Sequence, residues 1–434
     1  MAETKQSSMK GYYKITFLIG LGFFTMGLMD PLYDTYVPIF LDRYVSSRGV
    51  IGLIMTLDNI FAIFLIPIVA AMSDRTRTRI GRRMPYIIVT LPLTALAFGI
   101  IPFSAFHSLW ALIAVIFLLN VFKQSARGPV VALMPDIIPG ELRSEANGVI
   151  NTMGGIAAIV GTIGLAQLMN IEVTLPGIGT TDQVLAFPLA GLLVVLAAVM
   201  LFFFIKENPE SYDEHDDKVS VRSSLKLILS GKDKSALLIL ISLLCWFIAY
   251  QGVLPFIGLY SIEYLQTTPG SAALAAGMVG IAYAIFAIPS GIIAHKRGRR
   301  LTIRGSLAAL VVVLLLVYLH IPITQLLGFS VVMQQITFWL LMFLFGTFWV
   351  SVVTNSFPML WQMASFHDIG IYTGLYYFFS QLAAILAPPI TGVIIDLFGF
   401  RAIFLFASLF MLIAFILMGR VTGGEPQDLS TEAQ

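Results

Sequence analysis

Met72–Pro85 reads MSDRTRTRIGRRMP. Arg75, Arg77, Arg79, Arg82 and Arg83 fall within nine residues, and an apolar run of more than twenty residues lies on either side. A basic turn between two such runs reads as a short cytoplasmic loop joining two membrane helices. The pattern returns as HKRGRR at His295–Arg300, again between long apolar runs. One such turn could occur in many membrane proteins. Two at matching places indicate a repeat.

Composition agrees with this reading. The chain has 434 residues, 58% of them apolar and only 12% charged, with a mean hydropathy of +0.89. Soluble domains carry about 25% charged residues, so most side chains here face lipid or a dry interior. The net charge of +2 says nothing about partners, because where the charges sit matters more than their sum, and no nucleic-acid partner is expected. Cys245 is the single cysteine, so no intrachain disulfide can form. Lys5, Lys10 and Lys14 precede a first apolar run that is too long for a signal peptide, so it is expected to stay as a membrane helix.

Twelve hydrophobic segments are expected, at about 15–41, 50–72, 85–106, 109–134, 148–170, 184–205, 236–264, 272–294, 303–320, 337–360, 371–398 and 402–418. Each is near the ~20 residues that span hydrocarbon as a helix. Helices are expected because lipid offers no partner to free backbone groups. The expected class is an all-α membrane protein with two six-helix halves, 15–205 and 236–420. Residues 1–14 form a cytoplasmic N-terminal segment, 206–235 a cytoplasmic linker, and 421–434 a tail with the composition of disorder. Of the 26 lysines and arginines, Arg43, Arg48 and Arg401 fall on the opposite side from the rest, and Lys123 and Arg127 fall inside a segment. This bias places both termini in the cytoplasm. Parallel six-helix halves with a basic turn after the second helix of each describe the major facilitator architecture. Gly81 and Gly298 are expected to let the chain turn sharply as a helix leaves the bilayer. Asp74 can cap a helix end or pair with a neighbouring arginine.

Ionisable residues at membrane depth are functional candidates because burying them is costly. Asp30 and Asp34 lie four apart in the first segment, Asp58 lies in the second, and Lys123 and Arg127 lie four apart in the fourth. Spacing of four puts each pair on one helix face. Three acids against two bases leave one carboxylate without a fixed partner, and a buried carboxylate of that kind can carry a proton. Glu263 and Asp396 sit near outer ends, and His107, His215, His295, His320 and His367 lie in loops or at segment ends. The proton site is therefore expected among Asp30, Asp34 and Asp58. Softer candidates for a sugar site are Trp246, Tyr250 and Gln251, then Trp349, Asn355, Tyr376 and Gln381. Aromatic rings suit the C–H face of a sugar, and amides suit its hydroxyls. No phosphate-binding loop of the form G-x-x-x-x-G-K-[ST] occurs, so ATP drive is not expected. No catalytic cluster, cofactor or metal site is expected either.

Several stretches resemble the sucrose-transporter-like branch of the major facilitator proteins, which includes plant sucrose/proton symporters and SLC45-type carriers. They are SDRTRTRIGRRMPYI at the first turn, NVFKQSARGPVVALMPD at Asn120–Asp136, and IIPGELRSEANGVINTMGGIAAI after it. NSFPM at Asn355–Met359 and YTGLYYFFSQLAAILAPPITGVIID at Tyr372–Asp396 also fit. The resemblance covers the whole chain. It implies proton-coupled uptake of a disaccharide or glucoside such as sucrose or maltose. Arg127 matches the family's arginine implicated in substrate binding and coupling, and Asn120 its asparagine on the same helix. The arginines of the first turn either anchor the topology or form a charge latch that opens and closes during transport, a cytoplasmic gate of Asp74, Arg75, Gly81, Arg82, Arg83, Asp136 and Arg143. Plant members have a protonatable Asp eleven residues before the arginine, where this chain has Ile116, so the proton site must differ. The melibiose-type sodium symporters have two aspartates where Ala62 and Ile66 align, which argues against sodium coupling through that pair.

The expected protein is thus a monomeric, multi-pass symporter of the cell membrane. Its partners are a sugar, a proton and the bilayer, with Asn120, Lys123, Arg127 and Asp34 at the substrate. The rival expectations are a proton-driven exporter of amphipathic compounds and a non-transporting sensor.

Overall fold

The computed structural model describes residues 9–139, 142–175, 177, 179–207, 234–363 and 369–424. The tail from 425, most of the expected linker and residues 1–8 therefore lie outside the described residues. Among the described residues, eleven helical segments are long and apolar enough to cross a membrane, and Ala402–Met418 is a shorter apolar twelfth.

In chain order the helices are α1 (Tyr13–Asp42), α2 (Arg48–Met55), α3 (Leu57–Arg75), α4 (Met84–His107), α5 (Leu109–Ile137), α6 (Arg143–Ile159) and α7 (Ala186–Phe204). Then come α8 (Ser235–Val253), α9 (Ile257–Leu265), α10 (Pro269–Ala272), α11 (Leu274–Arg297), α12 (Arg299–Leu326), α13 (Val331–Trp361), α14 (Ile369–Phe398) and α15 (Ala402–Met418). Periodicity hardly distinguishes their faces, because lipid and core are both apolar. Ends are set by local chemistry. Ser108 accepts a bond from the Ala111 N–H at the start of α5, and Ser330 does the same from Met333 at the start of α13.

Three details differ from the expected segments. The second is divided at Thr56, where Leu57 begins a new helix. The fifth ends in a wide turn at Val160–Gly164 and a tight one at Leu165–Asn170. The ninth runs on to Leu326, so His320 is not at an end: it is buried, and its Nε2 lies 2.8 Å from the Thr337 hydroxyl. The long loop after Asn170 holds a small antiparallel hairpin, β1 (Val173–Leu175) with β2 (Gly179–Thr181), the only strands among the described residues.

The chain divides into two compact units. The first contains Met1–Tyr44, Leu57–Glu214 and Thr267–Gly277. Within it α1 packs on α6, α4 on α5 and α7, and α3 on α5. Small residues allow the closest approach: a Cβ on Gly27 would collide with the Gly154 carbonyl of α6. The α10 segment belongs here, held by Asn170 Oδ1, which accepts from the Gly270 N–H at 2.8 Å, and by the Tyr36 hydroxyl, which donates to the Pro269 carbonyl at 2.9 Å.

The second unit contains Val45–Thr56, His215–Gln266 and Met278–Gln434. Within it α8 packs on α14 and α15, and α12 packs on α13 and α15. Here α2 lies on α14, and the Asp396 carboxylate caps it. It accepts from the Ser47 hydroxyl at 2.7 Å, the Arg48 N–H at 2.7 Å and the Gly49 N–H at 3.1 Å.

The three basic residues on the minority side all use aromatic rings. Arg43 sits over Phe40 and Phe106, Arg48 over Phe400, and Arg401 over Tyr318. Such contacts hold a cation by ring electrostatics as well as by solvation.

Candidate functional site

In α5, Asn120, Lys123, Gln124 and Arg127 recur at spacings of three and four, so they share one face. The first three are buried, and Arg127 is half-buried. In α1, Asp30, Tyr33 and Asp34 share a face by the same arithmetic. The two faces meet. Lys123 Nζ lies 2.6 Å from Asp30 Oδ1 and 5.3 Å from the centre of the Tyr33 ring. Asn120 Nδ2 donates to the Tyr33 hydroxyl at 3.2 Å. An ammonium with only 6% of its side chain exposed needs such a partner, since an uncompensated buried charge costs several kcal/mol.

Two carboxylates stand beside this pair. Asp34 and Asp58 both interact electrostatically with Asp30 and Lys123. Among the described residues Asp34 makes no hydrogen bond or ion pair. Asp58 lies in the first turn of α3, where the helix dipole favours an anion. Arg127 is an electrostatic neighbour of Asp58 but makes no ion pair among the described residues.

Sequence reasoning missed Tyr33 and Gln124, although both lie at the helical spacing of residues it named. Asn120 Oδ1 and Gln124 Oε1 are buried acceptors with no partner. Buried amide oxygens normally find a donor, and these two are left without one.

The soft candidates of the second unit form an aromatic cluster. Tyr250 stacks on Trp349 with ring centres 4.3 Å apart and planes at 3°, and Phe247 meets Trp349 edge-on. Tyr376 lies edge-on to Phe247 and 3.2 Å from the Ser356 hydroxyl. Trp246 is fully buried, and its indole N–H has no partner. The Asn355 amide donates to the Ser351 carbonyl in its own helix. Gln251 and Gln381 are half-buried.

At the basic turn the five arginines separate. Arg75, Arg77 and Arg79 are exposed, whereas Arg82 and Arg83 point inward. Asp136, at the end of α5, accepts from Arg82 Nε at 3.0 Å and Arg82 Nη2 at 2.5 Å, and from Arg83 Nε at 2.9 Å. Arg83 also pairs with Asp74 and donates to the Ser73 hydroxyl. So Asp74, Arg82, Arg83 and Asp136 come together, and Arg75 does not. The Arg143 side chain lies outside the described residues.

A further participant was not foreseen. The Glu207 carboxylate accepts from the backbone N–H groups of Arg82, Arg83 and Met84, at 2.7 to 3.0 Å. These are the orphan donors at the start of α4, so Glu207 caps that helix from a distant stretch of chain. Gly81 makes the approach possible. Its φ is +109°, and a Cβ there would strike the Glu207 side chain. No local motif links positions 125 residues apart, which is why the sequence did not show it.

Comparison with known proteins places this architecture. No curated protein matches the sequence. A bacterial homologue of the human lysosomal transporter Spinster, in an inward-facing, occupied conformation, superposes with a TM-score of 0.75. The match covers 96% of this chain and 97% of that one, at 12% identity. Its unoccupied form gives 0.73 over 95% and 97%, also at 12% identity. A mutant of the nucleoside transporter NupG gives 0.70 over 93% and 99%, at 11% identity. At such identities these likenesses concern the fold. The family profile described as Major Facilitator Superfamily matches residues 16–388, and this multi-pass membrane protein belongs to that transporter family.

Proposed function

We propose that the protein is a proton-coupled importer of a disaccharide or glucoside, working by alternating access in the cell membrane. The carrying observation is the buried Lys123 ammonium paired with the partly exposed Asp30 carboxylate, with Asp34 uncommitted beside it. One ammonium cannot neutralise three neighbouring carboxylates at this depth. Taking up a proton on Asp34 relieves the excess negative charge. A sugar hydroxyl can then donate to Asn120 Oδ1 or Gln124 Oε1, which lack donors. Arg127 and Lys123 bias the acids towards their charged forms until proton and sugar arrive.

The test is uptake of labelled disaccharides by proteoliposomes, with and without an imposed pH gradient. Accumulation that needs an acidic outside supports the reading, and equal uptake without the gradient removes proton coupling. In cells, Arg127→Ala and Asp34→Asn should each abolish sugar-driven alkalinisation of the medium. Normal proton flux in both variants would take these residues out of the mechanism.

A further inference from the structure

A groove of about 430 Å³ runs along α11, α12 and α13 within the second unit, away from the aromatic cluster. Its walls are apolar, formed by Phe286, Ile293, Leu301 and Phe348, and Arg297 stands at one end. Ile293 and Leu301 are 47% and 61% exposed, and nearby Ile288 is 76% exposed, so the groove opens on the surface that meets lipid. Eleven residues separate Phe286 from Arg297, or roughly 16 Å along a helix. Half of the ~30 Å hydrocarbon core is about the same length. The groove therefore has the depth of one leaflet.

Its charge is one-sided. Arg297 is exposed, and among the described residues it makes no hydrogen bond or ion pair. Exposed His295 and Lys296 precede it. No acidic residue occurs in the sequence between Glu263 and Asp368, so α11, α12 and α13 contain none. Inside the groove, the Ser290 hydroxyl already donates to the Ala287 carbonyl. Arg297 is thus the only full charge in the lining. Gly305 leaves the groove open, since a Cβ there would meet nothing within 4 Å.

The geometry points to a binding site for an anionic glycerophospholipid, with its phosphate at Arg297 and one acyl chain between Leu301 and Phe348. Charge complementarity selects the headgroup, and the leaflet-deep apolar walls select the chain. The site is independent of the transported substrate.

The experiment uses native mass spectrometry of the delipidated full-length protein, titrated with dioleoylphosphatidylglycerol or dioleoylphosphatidylcholine. The expected result is one tightly held lipid, with the anionic species preferred about fivefold, the worth of one arginine near a membrane surface. Arg297→Ser should erase the preference. Gly305→Leu, which fills the groove, should weaken both lipids. Lys296→Ser, outside the lining, should leave both affinities unchanged. Unchanged helix content and elution volume certify that each variant is folded, and if Gly305→Leu fails this check, Arg297→Ser at its exposed position decides alone. Equal affinity for the two lipids in the parent protein overturns the proposal. So does a preference that survives Arg297→Ser.

Discussion

The two basic turns occupy equivalent places in the repeat, IGRRM at Ile80–Met84 and RGRRL at Arg297–Leu301, yet they use their arginines differently. In the first, Arg82 and Arg83 meet the Asp136 carboxylate, and Glu207 caps the backbone. In the second, Arg299 donates to the Pro358 carbonyl at 3.3 Å and Arg300 to the Gly419 carbonyl at 2.5 Å. The residue after the equivalent proline is Asp136 in one half and Met359 in the other. A glycine with positive φ is common to both, +109° at Gly81 and +91° at Gly298. What the repeat keeps is the backbone turn. What it varies is the residue after the proline, a carboxylate that holds two arginines in the first half and a thioether in the second.

Substitutions can break this contrast. The largest effect is expected for Asp136→Ala, which leaves two inward-facing guanidinium groups without their shared carboxylate. A loss of about 3 kcal/mol is expected in detergent unfolding. Arg299→Met removes a group whose bonds include the one to the Pro358 carbonyl and should cost less, about 1 kcal/mol. Equal losses would erase the distinction between the turns. Next, Glu207→Ala should cost about 2 kcal/mol, since three helix-start N–H groups lose their acceptor. Glu207→Gln, which keeps an amide oxygen, should recover about half of that. Gly81→Ala and Gly298→Ala should both be destabilising, by about 1–2 kcal/mol from backbone strain. Gly81→Ala should be the worse of the two, because Glu207 occupies the Cβ position. Smallest of all, serine at Arg75, Arg77 and Arg79 together should shift stability by about 0.5 kcal/mol or less. A larger shift would mean that these exposed arginines belong to the Asp136 cluster.

Helices at membrane depth were legible, because hydrocarbon leaves a long apolar run few alternatives. The turns were legible because charge bias and glycine act locally. Spacing put the acids on one face of α1 and the bases on one face of α5, and the major facilitator architecture was what brought those faces together. Spacing did not say which partners would pair. Lys123 took Asp30, and Arg127 took no carboxylate among the described residues. That choice depends on how the helices pack, which spacing does not fix. The division at Thr56 was hidden because residues 48–75 read as one apolar span whether or not the helix breaks. Glu207 was hidden because its partners are backbone N–H groups, which every sequence has.

The way the units share the chain has a practical result. Val45–Thr56 comes from the first half of the sequence but is counted with the second unit, and Thr267–Gly277 is lent the other way. Severing the polypeptide anywhere in 208–233 would therefore give two fragments, each missing a piece of its own body and carrying a piece of the other's. Coexpressed, they should become protease-resistant only once they have found each other, and either one produced alone should be degraded.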